Sequence, residues 1–362
     1  MDVAIFGAGI AGLMTAISLH ADGHRCRIFE RQAQVQEAGL GFILMPEGMD
    51  CLRRFQVPLE STRGGMPLNA YFHRDARGEI LHEQAMPAGA RGFRRRDLVA
   101  PLAAATRGKA EIIFNAGLNH LEFDEATGRH VTAAQVGSGE RITADLYVGT
   151  DGVNSRARKA LYPDWPTQPG RVMELVGLSL STNAVTWAGN NFNKFHAVAG
   201  AIAFGILPVN GDQIVWYLQF DAHTYAPPQE QADALRAFAQ KLVGDWGAPV
   251  PELIATSDFS QVHLWRTVDA DIIPRFNLSN LVLAGDAAHP LLPFTSRGVS
   301  SAMADAVELA KSLAEERSLP RALDHYSSVR QKECAPYVTG GRDLMRKFLA
   351  PQDAASAFLP IA

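Results

Sequence analysis

The residues best suited to chemistry come at the start of the chain. Gly7, Gly9 and Gly12 form G-x-G-x-x-G directly after a short apolar run at 3–6, and a stretch with helical apolar spacing follows them. In such a setting the first glycine permits a tight turn. The second lets backbone approach a pyrophosphate, and the third lets a helix pack on the strand. The helix start points unpaired N–H groups and a partial positive charge at a phosphate. A second apolar run, at 25–29, ends in Glu30. A carboxylate there accepts hydrogen bonds from adenosine ribose hydroxyls and repels a 2′-phosphate. Strand, glycine turn, helix, second strand and acid together specify a dinucleotide site; they leave NAD and FAD equally open.

Two later acids sit in comparable surroundings. An apolar run ends in Thr150-Asp151-Gly152, with Ser155, Arg156 and Arg158 beyond. An Asp-Gly turn that caps a helix also accounts for this segment. Another apolar run ends in Gly285-Asp286, a loop continues through Pro293, and a helix opens near Gly298. A capping role would explain Asp286 but not the length of the loop.

In this order, the three motifs resemble the FAD-dependent class A aromatic hydroxylases, among them p-hydroxybenzoate and salicylate hydroxylases. The resemblance runs from the first strand to the helix after Gly298. It implies a bound FAD, with NADH or NADPH as a transient co-substrate that has no nucleotide fold of its own. That fits the lack of a second G-x-G-x-x-G. It implies O₂ as oxidant and a flavin C4a-hydroperoxide that hydroxylates a small or medium aromatic or heteroaromatic ring. Carried over by motif, Gly7, Gly9 and Gly12, with backbone at Ala11, would hold the FAD pyrophosphate. Glu30 would hold the adenosine ribose, with Arg31 beside it in the cofactor set. Arg95 matches a cofactor-contacting arginine. Asp151-Gly152 matches a motif near the pyrophosphate that is implicated in pyridine-nucleotide binding. Asp286 matches the acid on the ribityl chain, and Pro293, Gly298 and Val299 would line the flavin ring. A helix start at 298–300 would place N–H donors where a reduced flavin carries negative charge.

The family usually reads G-Q-G-x-N where this chain has Ser296-Arg297-Gly298-Val299-Ser300. Arg297 could add fixed charge beside the ring, touch substrate or face solvent, and Ser300 stands as a candidate N-cap. Arg297 and Pro293 are the candidates beside the reacting ring; no protein acid or base is assigned. Three other readings stay open: a non-catalytic flavin or ligand-binding relative, a flavin-dependent halogenase, and a NAD-dependent dehydrogenase. The halogenase W-x-W-x-I-P is missing, and the dehydrogenase leaves Asp151 and Asp286 idle.

The elements that must position these residues follow from the rest of the sequence. The 362 residues are 47% apolar and 20% charged, enough for two domains with sizeable cores. A net charge of −4 argues against a nucleic-acid partner. No run approaches the roughly 18 apolar residues of a membrane span, and Met1-Asp2 precedes no basic leader. A soluble cytoplasmic protein, monomer or homodimer, is expected. Cys26, Cys51 and Cys334 lie far apart and read as free thiols. No metal or serine-nucleophile motif is present.

The expected fold is α/β: a Rossmann-like FAD-binding domain with an inserted α+β substrate domain built on an antiparallel sheet. The first comprises 1–66, 88–169 and 266–362 with C-terminal helices, the second 67–87 and 170–265. Residues 38–55 read as a glycine loop and a helix, 69–84 as a hairpin, and 195–222 as two long strands joined near Asn210-Gly211. Ala302, Ala306, Leu309, Ala310 and Leu313 share one face of the late helix. Trp187, Phe192, Phe195, Trp216 and Tyr217 either wall a substrate or pack the core. His73, His196, His223 and His289 are possible proton carriers. The cluster Arg91, Arg94, Arg95 and Arg96 could draw nucleotide phosphates.

Overall fold

The glycine loop is seated in a six-stranded sheet. Its order is Asn277–Leu278, Leu281–Leu283, Leu146–Gly149, Asp2–Phe6, Arg25–Phe29, Ala110–Ile113. The structure is a computed structural model, and it describes residues 1–35, 41–59 and 64–351. The inner strands are parallel, with Phe6 level with Phe29 and Gly149, and Gly149 level with Leu283. The three motifs therefore leave the sheet side by side at its C-terminal edge, where open parallel sheets bind ligands. The inner strands are covered on both faces, so 3–6, Leu146–Gly149 and Leu281–Leu283 are buried throughout. Val3, Ala4, Ile5 and Phe6 are fully buried. The helix Ile10–Ala21 packs there with the late helix Gly298–Glu315.

The second sheet has seven strands, in the order His263–Ala270, Thr167–Ser179, Gln213–Asp221, Ile202–Asn210, Asn191–His196, Ala70–Asp75, Ile80–Ala85. It takes in 167–169 and 266–270, assigned from sequence to the cofactor half. It also departs from a purely antiparallel sheet, because Ala70–Asp75 runs parallel to Asn191–His196. Only a tight hairpin forces antiparallel pairing. These two strands are joined by a long connection that passes through part of the cofactor half, so either direction is open to them.

Side chains alternate across this sheet. Leu175, Phe195, Phe204, Trp216, Leu218 and Phe220 point to one side, where residues of the helices Thr182–Ala188, Ala232–Val243 and Val250–Thr256 complete a core. The other side faces the cofactor half.

The segment 41–44, expected as loop, is a strand paired with Arg91–Arg94. Ile43 and Leu44 are buried, and Phe42 stacks on Phe93 at 6.2 Å. Burial of the adjacent Ile43 and Leu44 overrides the glycine signal there. Gly39 and its neighbours at 36–40 lie outside the described residues. The last helix, Leu319–Leu349, braces the two sheets: Arg342 pairs with Asp269 and Asp271, and Phe294 meets Phe348 at 5.7 Å. Among the described residues no helix is long and apolar enough to cross a membrane.

Candidate active site

At the glycine loop, two of the three glycines answer to the protein itself. A Cβ on Gly7 would lie 2.6 Å from the Thr150 carbonyl, and its φ is +109°. A Cβ on Gly12 would lie 1.9 Å from the Gly7 carbonyl. Gly9 differs: a Cβ there would meet nothing within 4 Å, and its φ of −76° suits any residue. The space beside Gly9 is what a phosphate group would fill. No side chain caps the helix that follows and no acid sits in its first turn, so its N–H groups at 10–12 stay available. Glu30 steadies the loop. Its Oε2 accepts from Ala8 N–H at 2.7 Å and its Oε1 from Gln32 N–H at 2.8 Å. Each oxygen keeps a second lone pair for a ribose hydroxyl. Arg31 is exposed beside Gly117.

Asp151 and Asp286 have unlike surroundings. Asp151 accepts from Ser155 Oγ at 2.5 Å, Arg156 N–H at 2.6 Å and Ala157 N–H at 3.2 Å. With Ser155 it caps the short helix Arg156–Leu161. Its carboxylate thus has a structural use, while Gly152 supplies a positive φ of +78° and an open flank. Asp286 lines the cavity and its carboxylate has no hydrogen-bond partner among the described residues. Its side chain is exposed to the open cavity, and the protein packed around it raises the carboxyl by desolvation, against the pull of His289, Arg95 and Arg158. Arg95 lines the same cavity. The rest of its cluster is engaged or exposed: Arg91 bonds the Gly65 carbonyl, Arg94 bonds Gln213, and Arg96 faces solvent.

The three motifs are stapled to one another. Thr150 Oγ1 donates to the Phe6 and Gly7 carbonyls at 2.9 and 3.1 Å. Arg158 donates to the Asp286 and Ala287 carbonyls at 2.9 and 3.0 Å. Asp305, on the late helix, accepts from Gly285 N–H at 2.6 Å. It also holds His289 at 2.7 Å and Arg330 at 2.6 Å. His289 is therefore not a carrier facing the cavity. Burial lowers its imidazole, and Asp305 outweighs this and holds it well above the usual range. Cys334 completes a ligand-like trio with His289 and Asp305. The ion pair to Arg330 already occupies the Asp305 carboxylate, so the trio is read as an ionic lock on the Asp286 loop.

The late helix opens on the cavity. Pro293, Gly298 and Val299 line it, and a Cβ on Gly298 would meet no atom within 4 Å. Arg297 is the N-cap residue and provides no side-chain cap. Ser300 is not the cap: it lies inside the first turn, where its Oγ accepts from Met45 N–H at 3.1 Å. Arg297 pairs with Glu47 at 2.9 Å and lies 5.6 Å over the Tyr337 ring. Ser296 adopts φ +54°, ψ 22°, a left-handed conformation that favours glycine.

The cavity, about 540 Å³, runs from this helix to the seven-stranded sheet. Val176, Phe192, Tyr217, Phe294 and Tyr71 form apolar walls, and Trp265 is half-exposed at its rim. Phe192 stacks with Tyr71 at 5.2 Å. Of the aromatics singled out from sequence, Phe192 and Tyr217 are therefore walls. Phe195 and Trp216 pack under the helices, and Trp187 is partly exposed against Phe195. Glu174, Lys194 and Gln219 also line the cavity, and sequence reading missed all three. Their signal was a polar residue with apolar neighbours inside a strand: Glu174 between Met173 and Leu175, Gln219 between Leu218 and Phe220, and Lys194 before Phe195. Gln219 Nε2 donates to Glu174 at 2.5 Å. Burial raises the Glu174 carboxyl and pulls the Lys194 ammonium down to about 8, each opposed by the other's charge. His73 and His196 stack at 4.2 Å behind Lys194. Burial first, then Lys194, drives His73 down to about 4 and His196 well below its ordinary value, so both are neutral near pH 7. His223 is exposed.

Residues 1–339 match the family model described as an FAD binding domain. The chain is 26% identical over 357 residues to the FAD-dependent monooxygenase OpS4 of Beauveria bassiana, covering 91% of this chain and 81% of that protein. It is 26% identical to the aurachin C monooxygenase/isomerase of Stigmatella aurantiaca, covering 94% and 88%. Its fold matches the crystal structure of Klebsiella pneumoniae HpxO complexed with FAD and uric acid. The TM-score there is 0.82 at 23% identity, over 95% of this chain and 87% of the other.

Proposed function

The chain belongs to the FAD-binding domain family, and from that premise we propose that it is an NAD(P)H-dependent FAD monooxygenase that oxygenates an aromatic or heteroaromatic ring. One observation carries the reading. The unpartnered Asp286 carboxylate, Arg95 and the open first turn at Gly298 share a single cavity with an aromatic sheet face. The names of the relatives, an FAD-dependent monooxygenase and a monooxygenase/isomerase, support it.

FAD, when bound, supplies the hydride acceptor and the centre of oxygen activation. The protein's part is to bind, orient and shield. N–H groups at 10–12 take the diphosphate, and the space beside Gly9 admits it. Glu30 accepts from the adenosine ribose, and Asp286 accepts from the polyol chain. The first-turn N–H groups at 298–300 would offer a bound flavin ring a partial positive charge that favours its electron-rich state. Phe192, Tyr217 and Phe294 hold the substrate ring and exclude water.

The test is the purified protein. It should carry flavin absorbance, oxidise NADH or NADPH faster with a ring substrate present, and place one atom of labelled O₂ in the product. A colourless protein that takes up no added FAD would end this reading, as would oxidation that yields no oxygenated product for any ring tested.

A further inference from the structure

The turn that carries Asp286 has nearly all its polar groups committed. Its backbone closes on itself, with the Ala288 and His289 N–H groups donating to the Gly285 carbonyl at 2.8 and 3.0 Å. Arg158 takes the Asp286 and Ala287 carbonyls. Asp305 takes the Gly285 N–H and the His289 Nε2 on the same oxygen, Oδ2. Those two contacts flank Asp286 in the chain, so one carboxylate oxygen pins both ends of the turn. Gly285 adopts a φ of +62°, and a Cβ there would lie 2.9 Å from the Ala11 Cβ, so the turn is also tight against the glycine-loop helix. The group left over is the Asp286 carboxylate, which lines the cavity.

Asp305 is held in its turn by the last helix. Its Oδ1 accepts from Arg330 Nε at 2.6 Å, and Arg330 Nη2 reaches Ser301 Oγ at 2.8 Å. Asp305 is 0% exposed, His289 1% and Arg330 3%. Stability alone does not call for such a set, because replacing a buried ion pair by well-packed apolar residues is often neutral or stabilising. A carboxylate supplies what an apolar side chain cannot, acceptors in fixed directions. Here they meet the two donors on either side of the cofactor acid.

We propose that Asp305 is a positioning residue for the cofactor: it fixes how the Asp286 carboxylate is presented to the polyol chain, and through Arg330 it makes the last helix part of that support. The inference rests on the Asp286 role proposed above and extends it to a residue that does not line the cavity. Whatever Asp305 contributes to flavin binding therefore passes through the turn.

A double-mutant cycle on FAD affinity tests this, read from flavin fluorescence as the flavin-loaded protein is diluted. Asp286→Ala should weaken binding about tenfold or more. Asp305→Asn should weaken it about fivefold or more when Asp286 is present, and less than about twofold when Asp286 is already alanine. A residue that only stabilises the fold would cost the same factor in both backgrounds. Asp305→Asn leaves Arg330 buried without its charge partner, which is strongly destabilising. His289→Asn is therefore taken through the same cycle, since it cuts one arm and keeps the Asp305–Arg330 pair; if Asp305→Asn does not fold, this cycle decides alone. His289→Gln returns an N–H donor at the reach of Nε2 and should recover the affinity that His289→Asn loses.

Losses that are equal with and without Asp286, or unchanged FAD affinity in the folded variants, overturn the positioning role. If Asp286→Ala binds FAD as tightly as the parent, the Asp286 assignment falls and this inference falls with it. If Asp286→Ala weakens binding and the other losses are merely additive, only this inference falls. The cycle does not depend on turnover: a flavin-loaded protein that oxygenates no ring sinks the activity and leaves the cycle to decide the role of Asp305.

Discussion

At the cofactor end of the cavity, most polar groups already have protein partners. Glu30 holds Ala8 and Gln32, Asp151 caps a helix, and Thr150 ties two loops together. At the sheet end, Lys194, Tyr71 and Gln219 keep open valences. The first region is held by its own hydrogen bonds, and only a few features face outward: the flank of Gly9, the turn at Gly298 and the Asp286 carboxylate. The second is a polar set completed only by what enters it. A shared cofactor suits the former. A ligand that differs between relatives suits the latter.

Substitutions can break this contrast or sharpen it. The largest effect is expected from Gly12→Ala, whose methyl would sit 1.9 Å from the Gly7 carbonyl. Overpacking against backbone should cost about 3 kcal/mol or more and abolish flavin retention. Gly9→Ala adds the same methyl to open space. Its melting temperature should stay near that of the parent while FAD affinity drops at least about tenfold, one pKa-sized step of binding energy. Equal losses of stability in the two variants would remove the distinction between a glycine the loop needs and one the ligand needs.

A second pair sets the two acids against each other. Asp286→Ala should lower FAD occupancy and leave the melting curve in place. Asp151→Ala removes a helix cap and should cost about 1 kcal/mol in denaturant unfolding. A reversed pattern, read from flavin-to-protein ratio and urea midpoint, would exchange their roles. The smallest effect is expected at Ser296. Its left-handed backbone costs an L-residue about 1 kcal/mol that glycine does not incur. Ser296→Gly should raise the urea midpoint by a corresponding amount.

The same contrast sets what could be read from sequence. Gly7 to Gly12, Glu30 and the Asp286 loop act through neighbours a few residues away or through the ends of aligned strands, so spacing reveals them. The mixed direction of the seven-stranded sheet was not legible, because nothing local fixes how Ala70–Asp75 meets a strand over a hundred residues later. Lys194, Glu174 and Gln219 act together only through register across four strands. In the chain the three lie in separate strands, at 174, 194 and 219, with nothing local to join them. Asp151 was legible as a motif, yet its hydrogen bonds match the plainer capping alternative at least as well.

The alternation of the seven-stranded sheet has a further consequence. Residues 173, 175 and 195 belong to one layer, and residues 174, 176 and 194 to the other. A mutation at every second position can change what the enzyme accepts without touching the layer that keeps it folded. Ligand choice and foldedness are written on interleaved letters of the same strands, so descendants of this chain can diversify in diet while inheriting an unaltered frame.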